Sequence, residues 1–205
     1  TILLAPNIIY LPVPPPPRTV HSSGPLQLLF LSRIDPKKGL DILLRALAPI
    51  HSPAWLLTIA GATGSAYQLQ LLQLSKKLGL DARINWLGWT AGAEKWSLLE
   101  QSDLMILPSH NENFANVVLD ALVVGAPVVV SDQVGLHAYV RKRNLGWVTQ
   151  PDPDALRKTL LEAFSDVNRR KEISRTAPAF VLDDFEPQKV ARLYFKHYAT
   201  LRQTT

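Results

Sequence analysis

Short, mostly uninterrupted apolar runs recur along this chain: LQLLFLS (26–32), WLLTIAG (55–61), RINWLG (83–88), DLMILPS (103–109), PVVVSD (127–132) and GWVTQ (146–150). A strand that is apolar at consecutive positions has both faces covered, which excludes a sheet with one wet face. Helical patterns separate the runs. DPKKGLDILLRALAPI (35–50) opens with Asp and Pro, a good helix start, and YQLQLLQLSKKLGL (67–80) closes at Gly79. Further helices are expected over 93–102, 114–125, 153–166 and 186–201. Alternating buried strands and helices predict an α/β fold, a doubly wound, Rossmann-like parallel sheet of six strands. In such sheets a ligand sits beyond the carboxyl ends of the strands, where the strand order reverses. The informative loops are therefore those after Ser32, Gly61, Gly88, Ser109 and Ser131.

The chain has 205 residues, enough for one substantial core with extensions, and its 47% apolar and 19% charged content is that of a soluble domain. It contains no cysteine, which excludes disulfides and thiolate metal sites and suits a reducing, cytoplasmic setting. A net charge of +5 suits anionic ligands. Lys76, Lys77, Arg169, Arg170 and Lys171 read as solvated helix faces. The longest apolar stretch, Val117 to Val130, is interrupted by Asp120, Gly125 and Pro127, so no transmembrane span is expected. The first residues lack the basic lead and cleavage site of a signal peptide, and a chain that opens on Thr1 is expected to be cut from something longer. Residues 1–25, with VPPPP at 13–17, are expected to form a linker. Residues 26–185 would then be the folded domain, and 186–205 a carboxy-terminal helix and tail.

GATG (61–64) falls short of a dinucleotide fingerprint, and the chain has no phosphate-binding P-loop, no metal-ligand spacing of His, Asp and Glu, and no nucleophile elbow. Two loops carry more. SRIDPKKG (32–39) places Arg33 and Lys38 after a strand and around an expected helix start, where free N–H groups and a partial positive charge favour a pyrophosphate. On spacing alone, two solvated cations explain it as well. In PSHNENFANVVLDALVVGAPVVVSD (108–132), Glu112 lies in a loop and Asp120 lies one to two turns into a helix that is apolar nearly all round. A carboxylate so placed needs hydrogen-bond donors, which ligand hydroxyls could supply. A structural cap or ion pair at Asp120 and a surface Glu112 are the plain alternatives.

Over most of 26–200 the sequence resembles the group 1 retaining glycosyltransferases, which pair two facing Rossmann-like domains in the GT-B architecture. FLSRIDPKKGLDILLRALA is similar to the family's "GR…KG" stretch, with Ser32 where glycine is usual. ENFANVVLDALVVGAPVVVSD is similar to its "E-x7-E" element, with Asp120 in place of the second glutamate; INWLGW (84–89) resembles its "v.flG" strand. In GLHAYV (135–140), Ala138 stands where an acidic residue is common. The resemblance implies that the chain is the carboxy-terminal, donor-binding half of a GT-B fold. It assigns catalytic roles to Arg33 and Lys38, on the diphosphate, and to Glu112, on the sugar hydroxyls. Donor binding would add Trp89 and Thr90 at the base, Phe114, Ala115 and Asn116 at the helix start, and Asp120 at the ribose.

It further implies a nucleoside-diphosphate sugar as donor substrate, retention of anomeric configuration, and no metal or other cofactor. The expected partners are the nucleotide sugar and an amino-terminal acceptor domain of the same protein, against which helix 186–201 would pack. Leu193, Tyr194, Phe195, Tyr198 and Leu201 would then be partly exposed in this chain alone. Nucleic acid is not expected, and a peripheral membrane contact is left open. A sugar-nucleotide 2-epimerase and a non-catalytic module that keeps the fold are the rival readings. Arg33, Lys38 and Glu112 favour an active site; Ser32, Asp120 and Ala138 favour the non-catalytic module.

Overall fold

The computed structural model describes residues 6–7, 24–62 and 64–202. In chain order the elements are β1 (Leu26–Leu31), α1 (Leu40–Leu47), β2 (Trp55–Ala60), α2 (Ala66–Lys77), β3 (Ile84–Gly88), α3 (Gly92–Gln101), β4 (Leu104–Leu107), α4 (Asn116–Val123) and β5 (Val128–Ser131). There follow α5 (His137–Arg143), β6 (Gly146–Thr149), α6 (Pro153–Ser165), α7 (Val167–Asp184) and α8 (Pro187–Arg202). The strands form one six-stranded sheet in the order β3-β2-β1-β4-β5-β6. Every pairing is parallel, as the buried apolar runs predict.

β1 pairs with β2 on one side, from Leu26 opposite Trp55 to Leu31 opposite Ala60. On its other side Leu28 and Leu29 face Leu104 and Met105 of β4. The direction of winding therefore reverses between β1 and β4, the place where a sheet of this kind binds its ligand. All residues of β4 and β5 are buried, whereas the edge strand β3 alternates between half-buried and exposed positions. α1 presents Leu40, Ile42, Leu43, Leu44, Ala46 and Leu47 to the core.

Three expectations need correction. The helix expected over 35–50 is divided. Asp35 accepts from the Lys37 N–H and caps a single 3-10 turn, Pro36–Lys38; Gly39 then adopts the left-handed conformation, and α1 begins behind it. The Asp-Pro start signal was real but belonged to the turn. α5 and α7 were not expected at all. α7 contains Pro178 and buries Ile173, Ala177 and Val181, a stripe too sparse and too small to stand out in sequence. Two of its cations are also not solvated. Arg169 donates to the Gly146 carbonyl (2.7 Å) and lies over the Trp147 ring, and Arg170 donates to the Ala163 and Phe164 carbonyls at the end of α6. Burial lowers the Arg170 pKa.

Most of the expected linker, including VPPPP, lies outside the described residues, as does the tail beyond Arg202. On α8, Phe195 and Tyr198 are exposed and Leu193 and Tyr194 half-buried, while the side chain of Leu201 is outside the described set. No helix among the described residues is long and apolar enough to cross a membrane.

Candidate functional site

The loops after β1 and β4 are stitched together before any side chain reaches the crevice. Gly39 has φ 69°, and a Cβ there would overlap the Pro108 carbonyl oxygen. Only glycine permits both that backbone angle and that approach. One residue pair further on, the His110 N–H donates to the Lys37 carbonyl (2.8 Å). These contacts bring the Lys38 ammonium to Glu112, with which it forms an ion pair. Glu112 is also fixed through its backbone: its N–H donates to the Gln133 carbonyl (3.0 Å) and its carbonyl accepts from the Gly135 N–H (2.7 Å). Gly135 has no room for a side chain, because the Asn113 carbonyl occupies that space.

α4 starts two residues later than expected, because Ala115 adopts a left-handed conformation (φ 69°, ψ 72°). A non-glycine residue there is strained by about 1–2 kcal/mol. No side chain caps the helix, so its first N–H groups remain open to an acceptor at the crevice. Asp120 lies just past the first turn of α4. Its carboxylate accepts from the Lys95 ammonium on α3 (3.1 Å), so the ion-pair alternative is realised. Burial raises the Asp120 pKa and the Lys95 charge pulls it part of the way back. Just before α3 the Thr90 hydroxyl is buried without a hydrogen-bond partner among the described residues, beside a Trp89 that is 69% exposed.

These elements enclose a cleft of about 450 Å³ at the carboxyl ends of β1 and β4. Arg33, Lys38, Trp89, Thr90, Glu112, Phe114, Ala115, Asn116 and Asp120, drawn from the loops after β1 and β3 and from the stretch that runs from the β4 loop into α4, all border it. Arg33 is exposed and makes no hydrogen bond or ion pair among the described residues. Phe114 packs edge-on against Phe185, the residue that ends α7. Sequence reasoning missed several lining residues, two of which make side-chain contacts with predicted ones. Asn7 reaches Asn116 from the amino-terminal segment (3.3 Å), and Lys95 partners Asp120. Sequence reasoning does not single out Lys95, because its role depends on a contact between α3 and α4 that neither segment signals. Among the described residues no group of His, Asp and Glu side chains is arranged as a metal site.

The model for "Glycosyl transferases group 1" matches residues 16–180. The chain belongs to this family. It is 34% identical over 134 residues to the D-inositol 3-phosphate glycosyltransferase of Rhodococcus erythropolis, a match covering 62% of this chain and 30% of that protein. The chain spans about a third of the length of the first such relatives. Among solved structures it is similar to Anabaena HepE, crystallised in complex with UDP-glucose, with TM-score 0.76 and 25% identity over 86% of this chain and 49% of that one. It also matches the C-terminal domain of the group 1 protein LpcC from Francisella tularensis (TM-score 0.68, 22% identity), covering 78% of this chain and 85% of that one. The fold is thus that of the carboxy-terminal half of a GT-B glycosyltransferase.

Proposed function

We propose that this group 1 glycosyltransferase chain is the donor-binding domain of a retaining enzyme, which moves a sugar from a nucleoside-diphosphate sugar to an acceptor hydroxyl. The observation that carries the reading is convergence. Residues from three loops and the helix α4, chosen for a diphosphate, a sugar, a ribose and a base, border one cleft at the switch point of the sheet.

In this reading Arg33 and Lys38 face the diphosphate, helped by the open N–H groups of α4. Breaking the anomeric C–O bond leaves the electron pair on the departing diphosphate oxygen. Cations and N–H groups already in place stabilise that charge without reorganisation, so the proposed reaction needs no metal. Glu112, held rigid by the turn before α5, accepts hydrogen bonds from the sugar hydroxyls and orients the ring. Asp120 accepts from the ribose. Trp89 and the unpartnered Thr90 hydroxyl face the base. The acceptor belongs to a second domain across the cleft, against which α8 would pack; the exposed Phe195 and Tyr198 support that packing. The reading takes the chain as a cytoplasmic component.

Calorimetric titration of this chain with UDP-, GDP- and ADP-glucose tests the proposal. Binding of one of them, undiminished by EDTA and without sugar transfer, is the expected result. Failure to bind any of them, or a strict magnesium requirement, counts against it. With the acceptor domain present, the anomeric configuration of the product, read by NMR, tests retention.

A further inference from the structure

Five charged side chains border the cleft: Arg33, Lys38 and Lys95 on the positive side, Glu112 and Asp120 on the negative. Lys38 and Arg33 come from the loop after β1, and Glu112 from the loop after β4. Lys95 stands apart, on α3, paired across the helix junction with Asp120. The two side chains are 27% and 17% exposed, so the pair sits at the wall of the cleft rather than on the open surface. α3 needs such a tie. It begins at Ala91 without a side-chain cap, and Leu99 is its one fully buried residue.

The pair has spare hydrogen-bonding capacity on both sides. Lys95 spends one of an ammonium's three N–H donors on Asp120 Oδ2 and lies over the Trp96 ring (4.2 Å). Asp120 Oδ1 has no partner among the described residues. A carboxylate oxygen beside an ammonium therefore presents an acceptor and a donor side by side. A vicinal diol offers the complementary set, since one hydroxyl can donate to Oδ1 while the other accepts from Nζ.

We propose that Lys95 is a positioning residue of the donor site, holding the short carboxylate of Asp120 charged and turned to the cleft so that the two together engage the vicinal hydroxyls of the donor's ribose. This inference rests on the cleft being a nucleotide site. Lys95→Met keeps an unbranched apolar chain and removes the ammonium, with its hydrogen bond to Asp120 and its place over the Trp96 ring. Burial already pushes the Asp120 pKa up, and loss of Lys95 pushes it further, because the Lys95 charge is what lowers it. Affinity that depends on the ionised carboxylate then falls as pH falls, by up to about tenfold for each pH unit below that pKa. Arg33, Lys38 and Glu112, the other charged groups facing the cleft, are the same in wild type and variant. The difference between the two pH profiles therefore belongs to Lys95 and Asp120.

The experiment titrates the tightest binder among UDP-, GDP- and ADP-glucose, whose phosphates stay fully ionised between pH 6 and 8.5, into wild type, K95M and K95R, with melting curves alongside. We expect K95M to bind about tenfold more weakly at pH 8, to lose its remaining affinity at a higher pH than wild type as pH is lowered, and K95R to recover most of the loss. If K95M melts far below wild type, K95Q gives the same comparison. Wild-type affinity and a wild-type pH profile in a folded K95M or K95Q would overturn the inference and leave the nucleotide site standing. Absence of binding by wild type to all three nucleotide sugars would overturn both.

Discussion

Asp120→Asn separates what Asp120 does for the fold from what it does for a ligand, because the structure gives the two effects opposite signs. In the folded chain Asp120 is largely withdrawn from water, and burial outweighs the Lys95 attraction, so its pKa lies above that of an unfolded Asp. A folded-state pKa raised in this way means that the ionised carboxylate opposes folding. The cost is fully present above the folded pKa and disappears as pH falls through it toward the unfolded value. The Asn amide, neutral and nearly isosteric, removes that cost at pH 7 and can still accept from Lys95. The melting temperature should therefore stay level or rise. Nucleotide affinity should fall, because a hydrogen bond to a charged acceptor contributes about 1.5–3 kcal/mol, a ten- to hundredfold change in Kd. Asp120→Glu should bind as well as wild type or better, since its extra methylene extends toward the ribose. Calorimetric titration with UDP-glucose and differential scanning calorimetry on the same preparations read both quantities. Unchanged affinity per folded Asp120→Asn molecule, or a melting temperature lowered by several degrees, would refute the reasoning.

Lys38→Met should weaken nucleotide-sugar binding by tenfold or more, measured by titration, because it removes a cation from the proposed diphosphate position and leaves Glu112 unpaired. Ala115→Gly should relieve the left-handed strain at the start of α4 and stabilise the chain by about 1 kcal/mol, a rise of roughly 2–4 °C in thermal melting. Gly39→Ala should do the reverse, and by more. It adds the same strain and drives a methyl group into the Pro108 carbonyl, so a melting temperature within a degree of wild type would contradict the described loop packing.

Much of the sheet was legible because burial on both faces leaves a one-dimensional trace. Every residue of β4 and β5 is apolar or small, and the short length of each run, bounded by Pro or Asp, favours a strand over a helix. The helices that escaped notice lack that trace for identifiable reasons. α5 is seven residues long, buries only Val140 fully and ends in Arg141, Lys142 and Arg143. α7 is held by groups whose partners are distant in sequence: Arg169 on the Gly146 carbonyl, and Arg143 on Asp184 across 41 residues (2.5 Å). A basic run read locally is a solvated face; read in three dimensions, some of its members cap carbonyls left open at strand and helix ends.

The same distinction runs through the site. Arg33, Lys38, Glu112 and Asp120 could be selected from sequence because they fall on the two stretches that resemble the family's motifs, each following a strand whose end meets the switch point. Lys95 could not, because its significance depends on α3 leaning against α4, a helix-to-helix contact with no signature in either segment. Yet the chemistry asks for such a residue. A glutamate at position 120 could carry its carboxylate clear of the helix wall, where solvent and ligand share its hydration. An aspartate is one methylene shorter and stays in the wall, where charge is costly unless a cation stands close. Lys95 supplies that cation at 3.1 Å without sealing off the second carboxylate oxygen. The substitution that departs from the family pattern at 120 and the lysine at 95 are thus two halves of one solution. A variant that lengthens Asp120 to Glu should accordingly depend less on Lys95 than the wild type does. Titration of the double variant against each single one measures that coupling directly. Full additivity of D120E and K95M would mean that the two side chains act independently at the cleft.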